Sequence, residues 1–332
     1  MSTARTSIAS PASWILALAG AAIGLGASPA SGQPFEIAYG TSTDQFEQFS
    51  AVATSIFRPT GAVVGGGAVS VGDLPPAVGS TFDPPDWLVM RTGDDGTITW
   101  QKRIVAGDRS YTGASSVCTL SDGSAIIVGA RATTFSADRI SVVRMSQSGT
   151  VMWARDIATG ATQFSGRGPV AVAQAGSGFA IGFNGDDGPI IYRFTDGGTL
   201  VSARQYSVPA STDTLQLNDL VDSTASVLAC GAITETTNFT TRAFVARLGD
   251  GAGAFSAARF GVDEADTAYS PYTGAVAIEK IPGGDLALAC QADVYPVHLP
   301  GDEVFPTTGV LLVRASSALT PVWRSLITNS NA

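Results

Sequence analysis

Three observations predict an all-β chain folded as a β-propeller of four-stranded blades, with five blades expected and a six-bladed or incomplete ring as alternatives. The first is a strand pair that recurs five times: an apolar strand closing on arginine, a tight turn, and a second strand in which a marked residue stands nine positions later. Its copies run from Trp87-Leu-Val-Met-Arg91 to Trp100, Ile140-Ser-Val-Val-Arg144 to Trp153, Ile190-Ile-Tyr-Arg193 to Ser202, Phe244-Val-Ala-Arg247 to Ser256, and Val310-Leu-Leu-Val-Arg314 to Trp323. The second is a hairpin ahead of each arginine strand, built from an alternating strand, a Gly-containing turn and a strand ending near glycine. The third is the period. Successive repeat arginines lie 53, 49, 54 and 67 residues apart, which suits propeller blades and exceeds the repeats of helical solenoids. A closed ring of such blades buries both faces of each sheet and leaves only short edges.

Taken in chain order, residues 1–32 read as a secretory signal peptide. Arg5 precedes an apolar run from Trp14 to Ala27, and the small, polar stretch Ser28-Pro-Ala-Ser-Gly-Gln33 follows. The run is short for a bilayer span, no later segment is long enough for one, and no cysteine follows it to carry a lipid. A secreted or periplasmic location is therefore expected, with one propeller domain over residues 33–332 and no membrane span in the mature chain. Phe35-Glu-Ile-Ala-Tyr-Gly40 has the look of a fourth strand such as Ala257-Ala-Arg-Phe-Gly261, and so adds an extra N-terminal strand to the count. The blades are expected over about residues 50–104, 114–157, 170–206, 217–260 and 274–327, their lengths being those of four-stranded units. Their opening hairpins run from Ala51-Val-Ala-Thr-Ser-Ile to Val63-Val-Gly-Gly66, from Ser116-Val-Cys-Thr-Leu120 to Ile126-Ile-Val-Gly129, and from Val170-Ala-Val-Ala173 to Phe179-Ala-Ile-Gly182. The last two run from Leu217-Asn-Asp-Leu-Val221 to Val227-Leu-Ala-Cys-Gly231, and from Ala275-Val-Ala-Ile278 to Leu286-Ala-Leu-Ala-Cys290.

Composition excludes several functions. The chain has 19 Lys and Arg against 28 Asp and Glu; without Arg5 the mature balance is 18 minus 28, or −10, so nucleic acid is not an expected partner. A single histidine, with neither Cys-X-X-Cys nor His-Glu-X-X-His, removes the common zinc layouts, and no metal site is expected. There is no Gly-X-Ser-X-Gly elbow and no P-loop. Cys118, Cys230 and Cys290 read as small buried thiols, because matching strands of neighbouring blades stand too far apart for a disulfide.

The turns after the arginine strands, Asp94-Asp-Gly-Thr-Ile-Thr-Trp100 and Gln147-Ser-Gly-Thr-Val-Met-Trp153, resemble those of bacterial secreted β-propeller repeats and, more distantly, of quinoprotein (PQQ-like) repeats. Gly96 and Gly149 match the quinoprotein spacing of a glycine four residues before tryptophan. Thr92 and Met145 stand where that family has aspartate, and a vicinal cysteine pair is missing, so no quinone or other cofactor is expected. The resemblance implies the scaffold. A quinone-dependent oxidoreductase is the last of three functional readings.

A residue present in every blade serves a need every blade shares. The arginines are expected to pack their stems and to bond turn carbonyls or carboxylates, and Trp100, Trp153 and Trp323 to pack between blades. Function is sought where the period breaks. The connection from second to third strand is long in blade 1 (residues 67–85) and in blade 5 (residues 291–308), which a closed ring makes neighbours on one face. That loop pair carries Tyr295, His298, Asp302, Glu303 and Phe305, with Asp293, opposite Asp73, Phe82 and Asp83. Connections into first strands bring Tyr269 and Tyr272, with Asp108, Arg109, Tyr111, Phe164, Asp213 and Asp266, to the same face. Acids among aromatics suit a carbohydrate or protein ligand. The first reading is thus a monomeric, non-catalytic binding or scaffolding module with no catalytic residues. The second is a glycoside hydrolase or lyase using carboxylates on the first strands, Asp219, Asp222 and Glu279, which line the channel.

Overall fold

The computed structural model describes residues 48–54, 68–74, 86–93, 97–104, 111–132, 137–159, 170–185, 187–207, 213–223, 226–236, 240–249, 255–260, 273–281, 283–294 and 307–328. Within them every regular element is a strand, and five four-stranded antiparallel sheets form the blades of a five-bladed propeller. Blade 1 is β1 (Gln48–Thr54), β2 (Ala68–Leu74), β3 (Asp86–Thr92) and β4 (Ile98–Ile104). Blade 2 is β5 (Tyr111–Thr119), β6 (Ala125–Ala132), β7 (Ala137–Met145) and β8 (Val151–Ala158). Blade 3 is β9 (Ala171–Ala175), β10 (Gly178–Gly185), β11 (Gly188–Phe194) and β12 (Leu200–Gln205). Blade 4 is β13 (Thr214–Ser223), β14 (Ser226–Thr234), β15 (Thr241–Gly249) and β16 (Phe255–Phe260). Blade 5 is β17 (Thr273–Lys280), β18 (Leu286–Val294), β19 (Thr307–Ala315) and β20 (Pro321–Thr328).

Each sheet is a simple meander, and the arginine repeat has a direct structural meaning. Arg91 lies opposite Trp100, Arg144 opposite Trp153, Arg193 opposite Ser202, Arg247 opposite Ser256 and Arg314 opposite Trp323. The nine-residue spacing is therefore a cross-strand pair at the mouth of the third hairpin. One difference from the expected elements falls in blade 1. The second strand described there is β2, at 68–74, whereas Val63-Val-Gly-Gly66 and the strand expected over 35–40 lie outside the described residues.

The middle strands are apolar on both faces because both faces are covered. All of β14 from Ser226 to Ile233 is buried, while β8 is exposed or half-buried throughout. Four cores each join consecutive blades. Val69, Trp87 and Val89 of blade 1 meet Val117, Ile127 and Met145 of blade 2, and Ile126, Ile140 and Val142 of blade 2 meet Phe179, Ile181 and Phe183 of blade 3. Ala180 and Ile191 of blade 3 meet Leu217, Leu220 and Phe244 of blade 4, and Cys230 and Val245 of blade 4 meet Leu288, Cys290 and Val313 of blade 5. A stack of Trp153, Phe179 and Phe194 crosses from blade 2 to blade 3, with centroids 6.1 Å and 5.0 Å apart.

The arginines tie blade to blade as well. Arg91 reaches the Gly123 carbonyl of blade 2 at 3.5 Å, Arg144 the Asp196 carbonyl of blade 3 at 2.6 Å, Arg193 the Leu248 carbonyl of blade 4 at 3.2 Å, and Arg247 the Ser317 carbonyl of blade 5 at 2.8 Å. Each guanidinium satisfies a turn or strand-end oxygen of the following blade, so these residues serve assembly. The tryptophans do the same job by shape. Trp100 donates its indole N–H to the Gln147 carbonyl of blade 2 at 2.9 Å, and its ring lies against Gly149. Trp153 lies against Gly198 of blade 3 in the same way.

Candidate functional site

First strands start on the same end of their sheets as the connections between second and third strands. On that end the blades differ in a measurable way. The connection is 75–85 in blade 1 and 295–306 in blade 5, against 133–136, 186–187 and 235–240 in blades 2, 3 and 4. Each long connection is thus about twice the length of the longest of the other three or nearly so. The loop of blade 1 is shorter than the 67–85 read from sequence, because β2 takes its first part.

Most of the residues singled out in sequence, namely Tyr295, His298, Asp302, Glu303, Phe305, Phe82, Asp83, Tyr269 and Tyr272, lie outside the described residues, as do Asp108, Arg109, Phe164 and Asp266. Asp73, expected in a loop, is a strand residue of β2, paired with Gln48 on one side and Trp87 on the other. Asp293 is likewise in β18, opposite Thr308, and Tyr111 opens β5. Asp213 accepts from the Thr236 amide at 3.3 Å and faces Arg259 at 3.9 Å.

The first-strand carboxylates are placed in detail. A β-bulge in β13 between Leu217 and Asp219 turns two polar side chains toward blade 5: Asn218 donates to the Ala275 carbonyl at 2.7 Å, and Asp219 accepts the Ile278 amide at 3.0 Å. The second Asp219 oxygen accepts the amide of Leu220 at 2.8 Å. Burial nonetheless pushes the Asp219 carboxyl up to about 7, against the pull of those two amides, and the nearby Glu279 adds to the rise. Glu279, an exposed residue near the end of β17, is also raised, first by desolvation and then by Asp222. Asp222 acts on the Cys118 thiol too, whose rise comes mainly from burial. The same bulge position in blade 2 carries Ser116, whose hydroxyl accepts the Val172 amide of blade 3 at 3.3 Å. Asp219 is therefore the acidic version of an interblade tie that serine supplies elsewhere, and Asn184 adds another by bonding both the N–H (2.7 Å) and C=O (2.8 Å) of Leu217.

On the opposite end, between the two turns of blade 2, Asp122, Ser124, Ser146, Gln147, Ser148 and Met152 line an open cleft of about 530 Å³. Its one carboxylate is already engaged. Burial would raise Asp122, but bonds from the Ser124 amide (2.9 Å), the Ser124 hydroxyl (2.5 Å) and Arg144 (2.7 Å) hold it below the usual carboxylate range. Among the described residues no group of three or more His, Cys, Asp or Glu is arranged to hold a metal ion, and no helix is long and apolar enough to cross a membrane.

The polar ties between blades escaped the sequence reading. Asn184 and Asn218 stand among ordinary strand residues, and only the bulge, itself a three-dimensional feature, could have marked Asn218 and Asp219.

No protein-family model matches the chain, and no curated protein matches it. Among solved structures it is similar to a protein of unknown function from Bacteroides caccae, at 12% identity over 85% of this chain and 82% of the other, with a TM-score of 0.45. It is also similar to the Dos1 propeller (11%, 87% and 74%, TM-score 0.37) and to a putative 6-phosphogluconolactonase from Bacteroides fragilis (10%, 77% and 81%, TM-score 0.38). The fold assignment rests on the strand pairing described above.

Proposed function

We propose that this is an exported, non-catalytic propeller that binds a protein or carbohydrate ligand on the end carrying connections 75–85 and 295–306. The observation that supports the reading is the inequality of those connections, in neighbouring blades of a ring that is otherwise repetitive. The repeat arginines, the interblade tryptophans and Asp219 are engaged in assembly, which leaves recognition to the loops. The expected ligand-facing groups there are Tyr295, His298, Asp302, Glu303 and Phe305 with Phe82 and Asp83, joined by Tyr269 and Tyr272. Rings supply contact area and carboxylates accept ligand hydroxyls or amides. The test is a glycan array and a peptide array probed with residues 33–332. Replacing 295–306 by a two-residue turn like that of blade 3 should abolish any signal. Undiminished binding after both loops are shortened would reject the site.

A second reading is favoured by one observation, the raised Asp219 and Glu279 beside Asp222. A carboxyl that holds its proton more tightly beside a second carboxyl is the arrangement of acid–base glycoside cleavage. Turnover of aryl glycosides that disappears in Glu279→Gln and Asp222→Asn would support it; no turnover by the wild type leaves the binding reading.

A further inference from the structure

Single side chains tie the inner strands of neighbouring blades, and one of those ties can ionise. Ser116 holds the Val172 amide at 3.3 Å, and Asn184 holds both backbone groups of Leu217. In the blade 4–blade 5 seam Asn218 holds the Ala275 carbonyl at 2.7 Å, and Asp219 holds the Ile278 amide at 3.0 Å. These two ties lie on either side of a β-bulge in β17, between Ala275 and Ala277. Before the bulge the strand is anchored, with Thr273, Gly274 and Ala275 all buried. Beyond it Val276 and Ala277 are half-buried and Glu279 and Lys280 exposed, so Ile278 is the one buried side chain of residues 276–280. That segment therefore has little apolar contact to hold it, and the amide of its one anchor is the amide that Asp219 accepts.

We propose that the Asp219–Ile278 bond is a proton-dependent latch. With the carboxyl neutral, residues 276–280 lie against β13; as it ionises they swing away from β13 about the bulge, while the Asn218–Ala275 bond keeps residues 273–275 in place. The surroundings of Asp219 favour that sense. The groups facing it are acids: Glu279 of β17 and the Cys230 thiol of β14, with Asp222 of its own strand acting on Glu279 and Cys290 of β18 acting on Cys230. On the other side of β13, β9 and β10 carry no titratable side chain, and Arg193 of β11 is engaged with the Leu248 carbonyl. Lys280 is exposed at the end of β17. A charge on Asp219 is thus opposed by burial and by Glu279 and offset by two amide bonds. With the latch closed the carboxyl titrates at about 7, whereas a released, solvated carboxyl returns toward the ordinary 3.8. The closed form consequently holds the proton more tightly. Closure is firmest below about pH 4, and opening grows by at most about tenfold per pH unit until pH 7. Ser116 makes the same kind of tie after the bulge of β5 and has no charge to gain, so the molecule contains its own control.

The test is residue-resolved amide hydrogen exchange on residues 33–332 between pH 5 and pH 8, corrected for the intrinsic pH dependence of exchange. The Ile278 amide reports the Asp219 tie and the Val172 amide the Ser116 tie. Corrected opening at Ile278 should rise at least about fivefold from pH 5 to pH 8, a figure set below the tenfold-per-unit limit because Asp219 keeps some exposure, while Val172 changes less than about twofold. Asp219→Asn should flatten the Ile278 profile, and Glu279→Gln should leave its rise in place. A flat wild-type profile would overturn the latch, and so would equal rises at Ile278 and Val172, which would mean that the whole ring loosens. A rise that survives Asp219→Asn and vanishes in Glu279→Gln would overturn it too, by giving the titration to Glu279. If Asp219→Asn does not fold, Asp219→Ser, which copies the tie of blade 2, takes its place, and the wild-type comparison of the two amides decides without either variant.

Discussion

The ring of Trp100 rests on Gly149 of the next blade so closely that a Cβ on that glycine would stand 2.9 Å from the indole, and Gly149 sits at φ +79°. Gly198 repeats the arrangement beneath Trp153, also at φ +79°. In blade 5 the equivalent turn residue is Leu319, at φ 64°, closing the same bond to Ser316 at 2.8 Å that Gly149 makes to Ser146 at 2.9 Å. A non-glycine residue in that region costs about 1–2 kcal/mol. Leu319 offsets the cost by being buried in the blade 4–blade 5 core. The tryptophan position of blade 4 holds Ser256. In chain order, tryptophan followed by glycine in two interfaces is replaced in the third by Ser256 followed by Leu319.

That exchange predicts a coupled pair. Ser256→Trp should destabilise by about 1–3 kcal/mol through overpacking, and Leu319→Gly by about 1–2 kcal/mol as lost burial exceeds relieved strain. The double variant should recover at least about 1 kcal/mol of their sum. Chemical denaturation of the four proteins checks this, and strict additivity would refute it.

Gly149→Ala is expected to lose about 2–4 kcal/mol, because it combines the backbone penalty with a clash against a ring pinned by its own hydrogen bond. Adding Trp100→Ala should remove the clash but not the backbone penalty, so the second substitution should cost less in the Gly149→Ala background than in the wild type. Midpoints in urea provide the measurement.

Arg144 is the most deeply placed of the carboxylate-paired arginines, bonding Asp122, the Ser124 hydroxyl and the Asp196 carbonyl at 2.7, 3.1 and 2.6 Å. Its replacement by alanine leaves three acceptors to water or to nothing, and should cost about 2–4 kcal/mol. Arg314→Ala, whose side chain is 41% exposed and, among the described residues, bonded to Asp285 of its own blade, should cost under about 1 kcal/mol. Equal losses by thermal denaturation would contradict the account of the arginines as interblade ties.

Asp219 makes stability depend on pH with a definite sign. Its folded pKa, about 7, lies above the ordinary 3.8, so the folded state holds the proton more tightly than the unfolded state. The contribution is full below about pH 4 and is lost as pH rises through 7, by at most about 4 kcal/mol. Asp219→Asn keeps an acceptor for one of the two amides and cannot ionise. The variant should show a flatter stability profile between pH 4 and 8, with its relative standing improving toward pH 8. A wild-type profile that rises over that window and is unaffected by the substitution would refute the assignment.

The three thiols should be silent in the native protein. All are buried, and burial pushes Cys290 up to about 12 and Cys230 well above the ordinary thiol value. Alkylation at pH 8 should run at least about 100-fold slower than in denaturant. Rapid labelling of one thiol would mean that its blade opens.

The arginine-to-tryptophan spacing was legible because cross-strand pairing is local: a turn of fixed length sets which residues face each other, and five copies make the register visible without coordinates. The second strand of blade 1 was less legible. Gly61-Ala-Val-Val64 and Ala68-Val-Ser-Val71 are two apolar runs of similar strand character, and the choice between them depends on which one meets Trp87 and Val89. The ties made by Asn184, Asn218 and Asp219 were hidden for a related reason. Their partners stand 33, 57 and 59 positions away, and a polar residue in a strand looks the same whether it bonds water or another blade.

Alternation, turn chemistry and spacing within a hairpin were thus enough to specify the four-stranded unit, its repetition and the role of the repeat arginines. How each unit meets the next came from the packing of sheet on sheet. That packing turned Asp219 from a channel carboxylate into a tie between blades, and set the ring of Trp100 on Gly149 and that of Trp153 on Gly198. Contacts of that kind depend on the angle and distance between sheets, which closure of the whole ring sets and no single repeat encodes.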